Sequence, residues 1–280
     1  ALKRSGKEGL ESSIAALDGR LRAAQAGIEK LSPELSGLEK THARTQAKIL
    51  MLERIIASST RPIPPDLTRL NGATRVADAL KVKPGYETAV GRSLGSALDY
   101  LIVRDHQEIL DTEGIEEAGP GLIPRTPHVE NPREGVSPSG PGVVAPLRNF
   151  INAREGYEDV IDALSRNMLV VEDLRSAMAL WARGERACSL VTRSGAILEP
   201  TGVVRNTREM EKYAEGLKAK AEKEEAAKQA AELEREIAGA MEKLAGLKEE
   251  HQAAARELGS ARDRDRDLKA ELDGLVDGRH

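Results

Sequence analysis

A few groups of side chains in this sequence have the type and spacing to do chemistry. Cys188 could serve as a nucleophile with a histidine as its base, and the central region supplies His106 and His128. That role needs an activated thiolate, whereas Cys188 sits between Ala187 and Ser189 on an apolar segment that suits a small buried hydrophobe. Asp105 and Asp173 each follow a short apolar run, Leu101-Ile102-Val103 and Leu169-Val170-Val171. Two carboxylates could share acid–base work, but a position just before a helical pattern is that of an N-cap, which accepts backbone N–H groups. His42 and His251 both fall on apolar seams described below. They read as tolerated polar residues, with a metal-bridging or pH-sensitive pair as the sharper alternative. Gly119-Pro120-Gly121 precedes prolines instead of opening a helix, so a dinucleotide fingerprint fails. No Gly-x-x-x-x-Gly-Lys-Ser/Thr loop occurs either, which removes that route to binding ATP.

The elements that would carry these residues follow from composition. The chain has 280 residues, 31% of them charged and only 2% aromatic. Tyr86, Tyr100, Phe150, Tyr157, Trp181 and Tyr213 are all the aromatics, and none lies in residues 1–85 or 214–280. Ends rich in Ala, Glu, Lys, Leu and Arg around an aromatic-bearing middle read as long helices flanking one compact domain. No stretch approaches the ~20 apolar residues of a membrane-spanning helix. A single cysteine excludes an intramolecular disulfide and a cysteine-cluster metal site, and fits a reducing compartment. The net charge of −4 gives no global attraction for nucleic acid, so any such role needs a local patch. The chain starts at Ala1 and begins and stops inside periodic sequence, which reads as a piece of something longer.

At the N-terminal end, alternating steps of four and three give Leu10, Ile14, Leu17, Leu21, Ala24, Ile28, Leu31, Leu35, Leu38, His42, Thr45, Ile49, Leu52 and Ile56. At the C-terminal end the same rule gives Leu233, Ile237, Ala240, Leu244, Leu247, His251, Ala254, Leu258, Ala261, Asp265, Leu268, Leu272 and Leu275. Each is a coiled-coil seam, because a 3.5-residue period keeps one stripe facing a partner helix. Ser32-Pro33 predicts a kink in the first arm, and the five-residue step from Ala221 to Ala226 predicts a change in winding in the second. Arg262 to Asp267 alternates in charge and reads as a solvated face. Two such seams around one domain favour an antiparallel hairpin within the chain over a parallel pairing between chains.

Residues 60–206 form the domain, with arms 1–59 and 207–280. It opens at Arg61-Pro62-Ile63-Pro64-Pro65, which ends a helix, and Asn206-Thr207 would cap the next one. It contains an echo: Gly85-Tyr86-Glu87 and Gly156-Tyr157-Glu158 each lead into a helix, a short buried strand, an Asp and a second helix. The halves run about 60–118 and 143–206. Ser189 to Thr192, the turn Arg193-Ser194-Gly195 and the run from Ala196 to Val204 predict a closing hairpin. The fold class is therefore α/β (α+β): a pseudo-symmetric two-half domain flanked by two long helices in an antiparallel coiled coil.

This order resembles the hinge of the structural maintenance of chromosomes (SMC) proteins, in a bacterial form. The resemblance rests on Tyr86-Glu87-Thr88-Ala89-Val90 to Leu101-Ile102-Val103, on Leu164 to Leu174 with Ala177, and on Val191 to Gly202, over roughly residues 76–206. It implies a homodimer joined hinge to hinge, with Gly95, Gly195, Gly202, Val203 and Val204 at the interface. The family has paired glycines after the closing strand, where this chain has Gly202 alone. The resemblance further implies weak, sequence-independent contact with DNA, with Lys48, Arg54, Arg61, Arg205, Arg208 and Lys212 as the local candidates. The domain itself carries 17 basic and 20 acidic residues between Ala57 and Thr207, so the contact would be local. Also implied are a cytoplasmic, nucleoid-associated location, a kleisin partner, and ATP and Mg at a head domain outside this sequence. The hinge itself is then no enzyme and needs no cofactor. The alternative is a coiled-coil scaffold whose central domain is a protein-binding adaptor.

Overall fold

The computed structural model describes residues 2–63, 73–110, 121–128, 140–205 and 208–277. The chain forms two compact units, one of Ala1–Ala47 with Ala227–His280 and the other of Lys48–Ala226.

The first unit is a two-helix coil, drawn from α1 (Leu2–Ser59) and α6 (Glu211–Asp277). Every seam residue from Leu10 to Thr45 and from Leu233 to Leu268 is at least partly covered, while most positions between them are exposed. Arg20 faces Glu250 at 3.9 Å and Glu257 at 3.6 Å, whereas His42 faces Glu234 at 3.3 Å. Partner numbers fall as those of α1 rise, so the helices run antiparallel within one chain. The stripe positions explain the pairing, since each helix alone would leave its apolar face in water. α1 continues through Pro33, and Ser32 donates back to the Ile28 carbonyl at 2.7 Å instead of capping a new helix. The two histidines do not form a pair. His42 lies beside Glu234, and His251 is about 25 Å further along α6 at ~1.5 Å per residue. Asp265, inside the run of alternating charge, is a seam residue bonded to Lys269 at 2.6 Å, so that run is only partly a solvated face.

The second unit contains the α/β domain with the roots of both long helices. Its first half runs β1 (Thr74–Arg75), a 3-10 turn, β2 (Leu80–Val82), α2 (Glu87–Leu94), a second 3-10 turn (Gly95–Asp99), β3 (Leu101–Val103), α3 (His106–Leu110) and β4 (Leu122–Pro124). The second half repeats the order with β5 (Val143–Pro146), a 3-10 turn (Leu147–Phe150), β6 (Ile151–Ala153), α4 (Glu158–Ser165), β7 (Met168–Val171), α5 (Leu174–Ala182) and β8 (Ser189–Thr192). Then come two additional strands, β9 (Ile197–Leu198) and β10 (Val204–Arg205). Pairing repeats as well: β1 is antiparallel to β3 and β3 parallel to β4, just as β5 is antiparallel to β7 and β7 parallel to β8. Equivalent residues even share register, Leu101 opposite Leu122 and Leu169 opposite Leu190.

The halves meet through β2 and β6, antiparallel with Lys81 opposite Asn152. Beneath this ladder lies one core that includes Val90, Leu98, Leu147, Ile151 and Ile161, with Tyr86 stacked on Phe150 at 3.7 Å between ring centres. Side chains of this size contribute about 1.5–3 kcal/mol each when fully buried. A second set of contacts crosses between halves reciprocally. Arg125, after β4, lies 4.8 Å over the Tyr157 ring, and Arg193, after β8, lies 5.4 Å over the Tyr86 ring. Both tyrosines belong to the Gly-Tyr-Glu echo, so each half's last strand is tied by a cation–π contact to the other half's first long helix.

Candidate functional site: two open strand edges and the helix roots

β4 and β8 occupy equivalent places, yet their outer edges differ. β8 is covered by β9, with Leu190 opposite Leu198 and the Thr192 N–H donating to the Ala196 carbonyl at 2.9 Å. β4 is the last strand of its sheet among the described residues. Leu101 donates to the Gly121 carbonyl and Arg125 to that of Val103. In a parallel ladder this alternation leaves the N–H and C=O of Leu122, and the C=O of Pro124, directed away from β3. Proline, which lacks the donor, is confined to such edges.

β10 is an end strand of the five-stranded sheet. Glu199 donates to the Val203 carbonyl at 2.9 Å, so Val204 opposite Leu198 is a pair that does not exchange hydrogen bonds with β9. The N–H and C=O of Val204 therefore point outward. Val203 and Val204 are 52% and 44% exposed. An edge of apolar residues with unspent backbone groups is a template for another strand.

Local sequence builds this edge. Gly195 donates to the Thr192 carbonyl and Gly202 to that of Glu199, at 2.9 and 2.8 Å. Both hairpins are thus three-residue loops whose last residue takes a positive φ, +83° at Gly195 and +87° at Gly202. That conformation selects glycine. These two glycines consequently have an intramolecular reason for being there, and a Cβ on Gly202 would lie 2.7 Å from the Trp181 indole. Gly95 is buried, with the Met210 sulfur beside it. Of the five residues expected at an interface, Val203 and Val204 are the two that offer exposed surface at an edge.

At the helix roots, one carboxylate ties the backbone just after α1 to the start of α6. Asp99, 3% exposed, accepts from the Tyr213 hydroxyl at 2.8 Å and from the Arg61 backbone N–H at 3.2 Å. Burial, then the bond to Asp99, pushes the Tyr213 phenol up to about 12. Arg92 reaches the Ser194 carbonyl in the β8–β9 turn at 2.9 Å and pairs with Glu211 at the start of α6. No local sequence pattern marks these bonds.

The basic candidates scatter over this unit and are partly engaged. Lys48 pairs with Glu222 at 3.7 Å, Arg205 with Glu199 at 2.6 Å, and Lys212 lies 4.7 Å over the Tyr213 ring. The Arg54 and Arg61 side chains are exposed. Arg208 lies in a short 3-10 turn, and the expected cap Asn206-Thr207 lies outside the described residues, as do Pro64-Pro65 and Gly119-Pro120.

The residues considered for catalysis have structural uses. Asp105 accepts the Glu108 N–H at 2.9 Å and Asp173 the Ser176 N–H at 2.7 Å. These bonds hold both carboxyls below their usual range, as caps of α3 and α5. Burial, with Glu185 nearby, pushes the Cys188 thiol up, the opposite of an activated nucleophile. Among the described residues, no three His, Cys, Asp or Glu side chains converge as a metal site, and no helix is long and apolar enough to cross a membrane.

Comparison with known proteins agrees with this geometry. Residues 70–181 match the family profile of the SMC proteins flexible hinge domain. Among solved structures, an asymmetric dimer of the Geobacillus stearothermophilus SMC hinge domain is 21% identical with a TM-score of 0.55, covering 80% of this chain and 99% of that one. The Pyrococcus furiosus SMC hinge with an extended coiled coil is 18% identical with a TM-score of 0.49, covering 99% of this chain and 98% of that one. None of the curated proteins matches the sequence.

Proposed function

With an SMC flexible hinge domain over residues 70–181, on the fold of the Geobacillus hinge, we propose that this chain joins two copies of itself. β10 of each protomer pads the bare β4 edge of the other. The observation that carries this reading is the unequal treatment of equivalent strands: β8 is covered by β9, and β4 has no such cover among the described residues. A partner strand entering that slot antiparallel, as β9 lies on β8, would set Leu122 opposite Val204. Each has an outward N–H and C=O to exchange. Two-fold symmetry makes the contact twice, and an interface that uses one patch from each half closes on itself.

The test is Val204→Pro. Proline removes an outward donor while leaving the β9 ladder intact, and it leaves a Leu122 carbonyl unpaired at both contacts. At about 2 kcal/mol per contact, dimer dissociation measured by sedimentation equilibrium should weaken roughly a thousandfold. An unchanged constant would refute the edge pairing.

The wider reading is that of the SMC family: a hinge whose long helices lead toward an ATPase head served by a kleisin, in a protein that organises chromosomes. DNA contact near the helix roots belongs to that reading. Lys48 and Arg205 already have acidic partners, so Arg54, Arg61 and Lys212 are the residues to substitute. Binding that falls with salt and weakens in those variants would support it. The adaptor alternative predicts a monomeric chain at all concentrations.

A further inference from the structure

β10 has two residues, both exposed, and one neighbouring strand. Strands this short do not hold their own position, so an interface built on β10 needs an external support. α5 supplies one. The Trp181 indole Nε1–H donates to the Pro200 carbonyl in the β9–β10 loop at 3.0 Å. The same ring lies where a Gly202 side chain would be, its Cζ2 2.7 Å from a Cβ built there. The Arg186 guanidinium sits 4.4 Å over the ring, and Trp181 itself packs on the cluster of Leu169, Leu180, Leu190 and Leu198. The loop is thus held at its first residue by a hydrogen bond and at its last by contact with an aromatic surface, and that surface is anchored in the core.

The first hairpin is the same kind of turn held from a different helix, with Arg92 of α2 donating to its Ser194 carbonyl at 2.9 Å. Its Gly195 packs on Arg92 of α2. Each loop is thus held by a helix side chain, Arg92 for the first and Trp181 for the second, and the second loop leads into the strand at the end of its sheet.

We infer that Trp181 is a positioning residue for dimerisation: it fixes the β9–β10 loop so that Val204 presents its outward N–H and C=O in one place. The inference rests on the edge pairing proposed above. It also gives Gly202, the one glycine in the β9–β10 loop, a purpose. Gly202 admits the indole, so any larger residue there would displace the clamp.

The experiment uses the full 280-residue chain carrying Trp181→Phe, which keeps an aromatic ring but removes the donor. Dimer dissociation should weaken about tenfold, from a hydrogen bond lost at each of two contacts. Amide exchange at Gly202 should quicken about tenfold while Gly195, in the turn held by Arg92 instead, stays unchanged. Arg186→Ala, which leaves the donor in place, should weaken the dimer by less than about threefold. In a Val204→Pro background, Trp181→Phe should add less than about twofold, since both act through one strand. A normal dimer in Trp181→Phe, alongside a weakened one in Val204→Pro, would overturn the clamp and leave edge pairing standing. Equal weakening in both backgrounds would also overturn it, because Trp181 would then act elsewhere. No effect of Val204→Pro would remove edge pairing, and the role of Trp181 in assembly with it.

Discussion

β4 and β8 are the same strand twice, and they are treated differently. Each follows a parallel partner in the same register, each is followed by an arginine laid over the other half's tyrosine, and each stems from a helix capped by an equivalent aspartate. Among the described residues, only β8 has a hairpin folded against it. Internal duplication supplies a molecule with a built-in control, since equivalent strands can be compared edge for edge. The difference between the two edges is the feature that points to assembly.

Substitutions at equivalent positions break this comparison most sharply. Leu190→Ala removes a buried side chain from the covered strand and should cost about 3 kcal/mol of unfolding free energy in denaturant titrations. Leu122→Ala, at the half-buried open strand, should cost the fold less than about 1.5 kcal/mol and act mainly on dimer dissociation. Comparable losses of fold stability at both positions would show the two edges to be alike. Next in size is Asp99→Ala, which strands the buried Tyr213 hydroxyl and the Arg61 N–H. About 2 kcal/mol of stability should be lost, with exchange quickened in the first turn of α6. Gly202→Ala and Gly195→Ala impose the same backbone strain of about 1–2 kcal/mol. Only Gly202→Ala should also loosen the dimer, and sedimentation of the two variants checks this.

The smallest effect is alkaline. The Tyr213 phenol is raised in the folded state to about 12, against ~10 in an unfolded chain. Its stabilisation is complete below pH 10 and is lost as pH climbs through 12, because the unfolded chain releases the proton first. Tyr213→Phe should flatten the fall in melting temperature over that window.

Much of this architecture was legible in the sequence. The seams were, because a 3.5-residue stripe has one physical use, and residues from Leu10 to Ile56 and from Leu233 to Leu268 are covered as the stripe requires. The echo was, through Gly-Tyr-Glu and the two capping aspartates. Pro33 sits inside α1, which runs on through it. The place of β4 at the end of its sheet among the described residues, the carboxylate of Asp99 and the Trp181 clamp were hidden. Each depends on residues far apart in sequence, and no local pattern records which strand lies uncovered. Gly195 and Gly202, expected at an interface, have a nearer cause in the two hairpin turns, which a reading by family pattern alone passes over.

The central claim is that Leu122 of one protomer lies opposite Val204 of another. Chains carrying Leu122→Cys and chains carrying Val204→Cys, both with Cys188→Ser, should form a disulfide when mixed and oxidised, since paired strand residues lie within bridging range. Each alone should stay uncrosslinked. Linkage of 122 to 122 or 204 to 204, or none in the mixture while the dimer persists, would contradict the account.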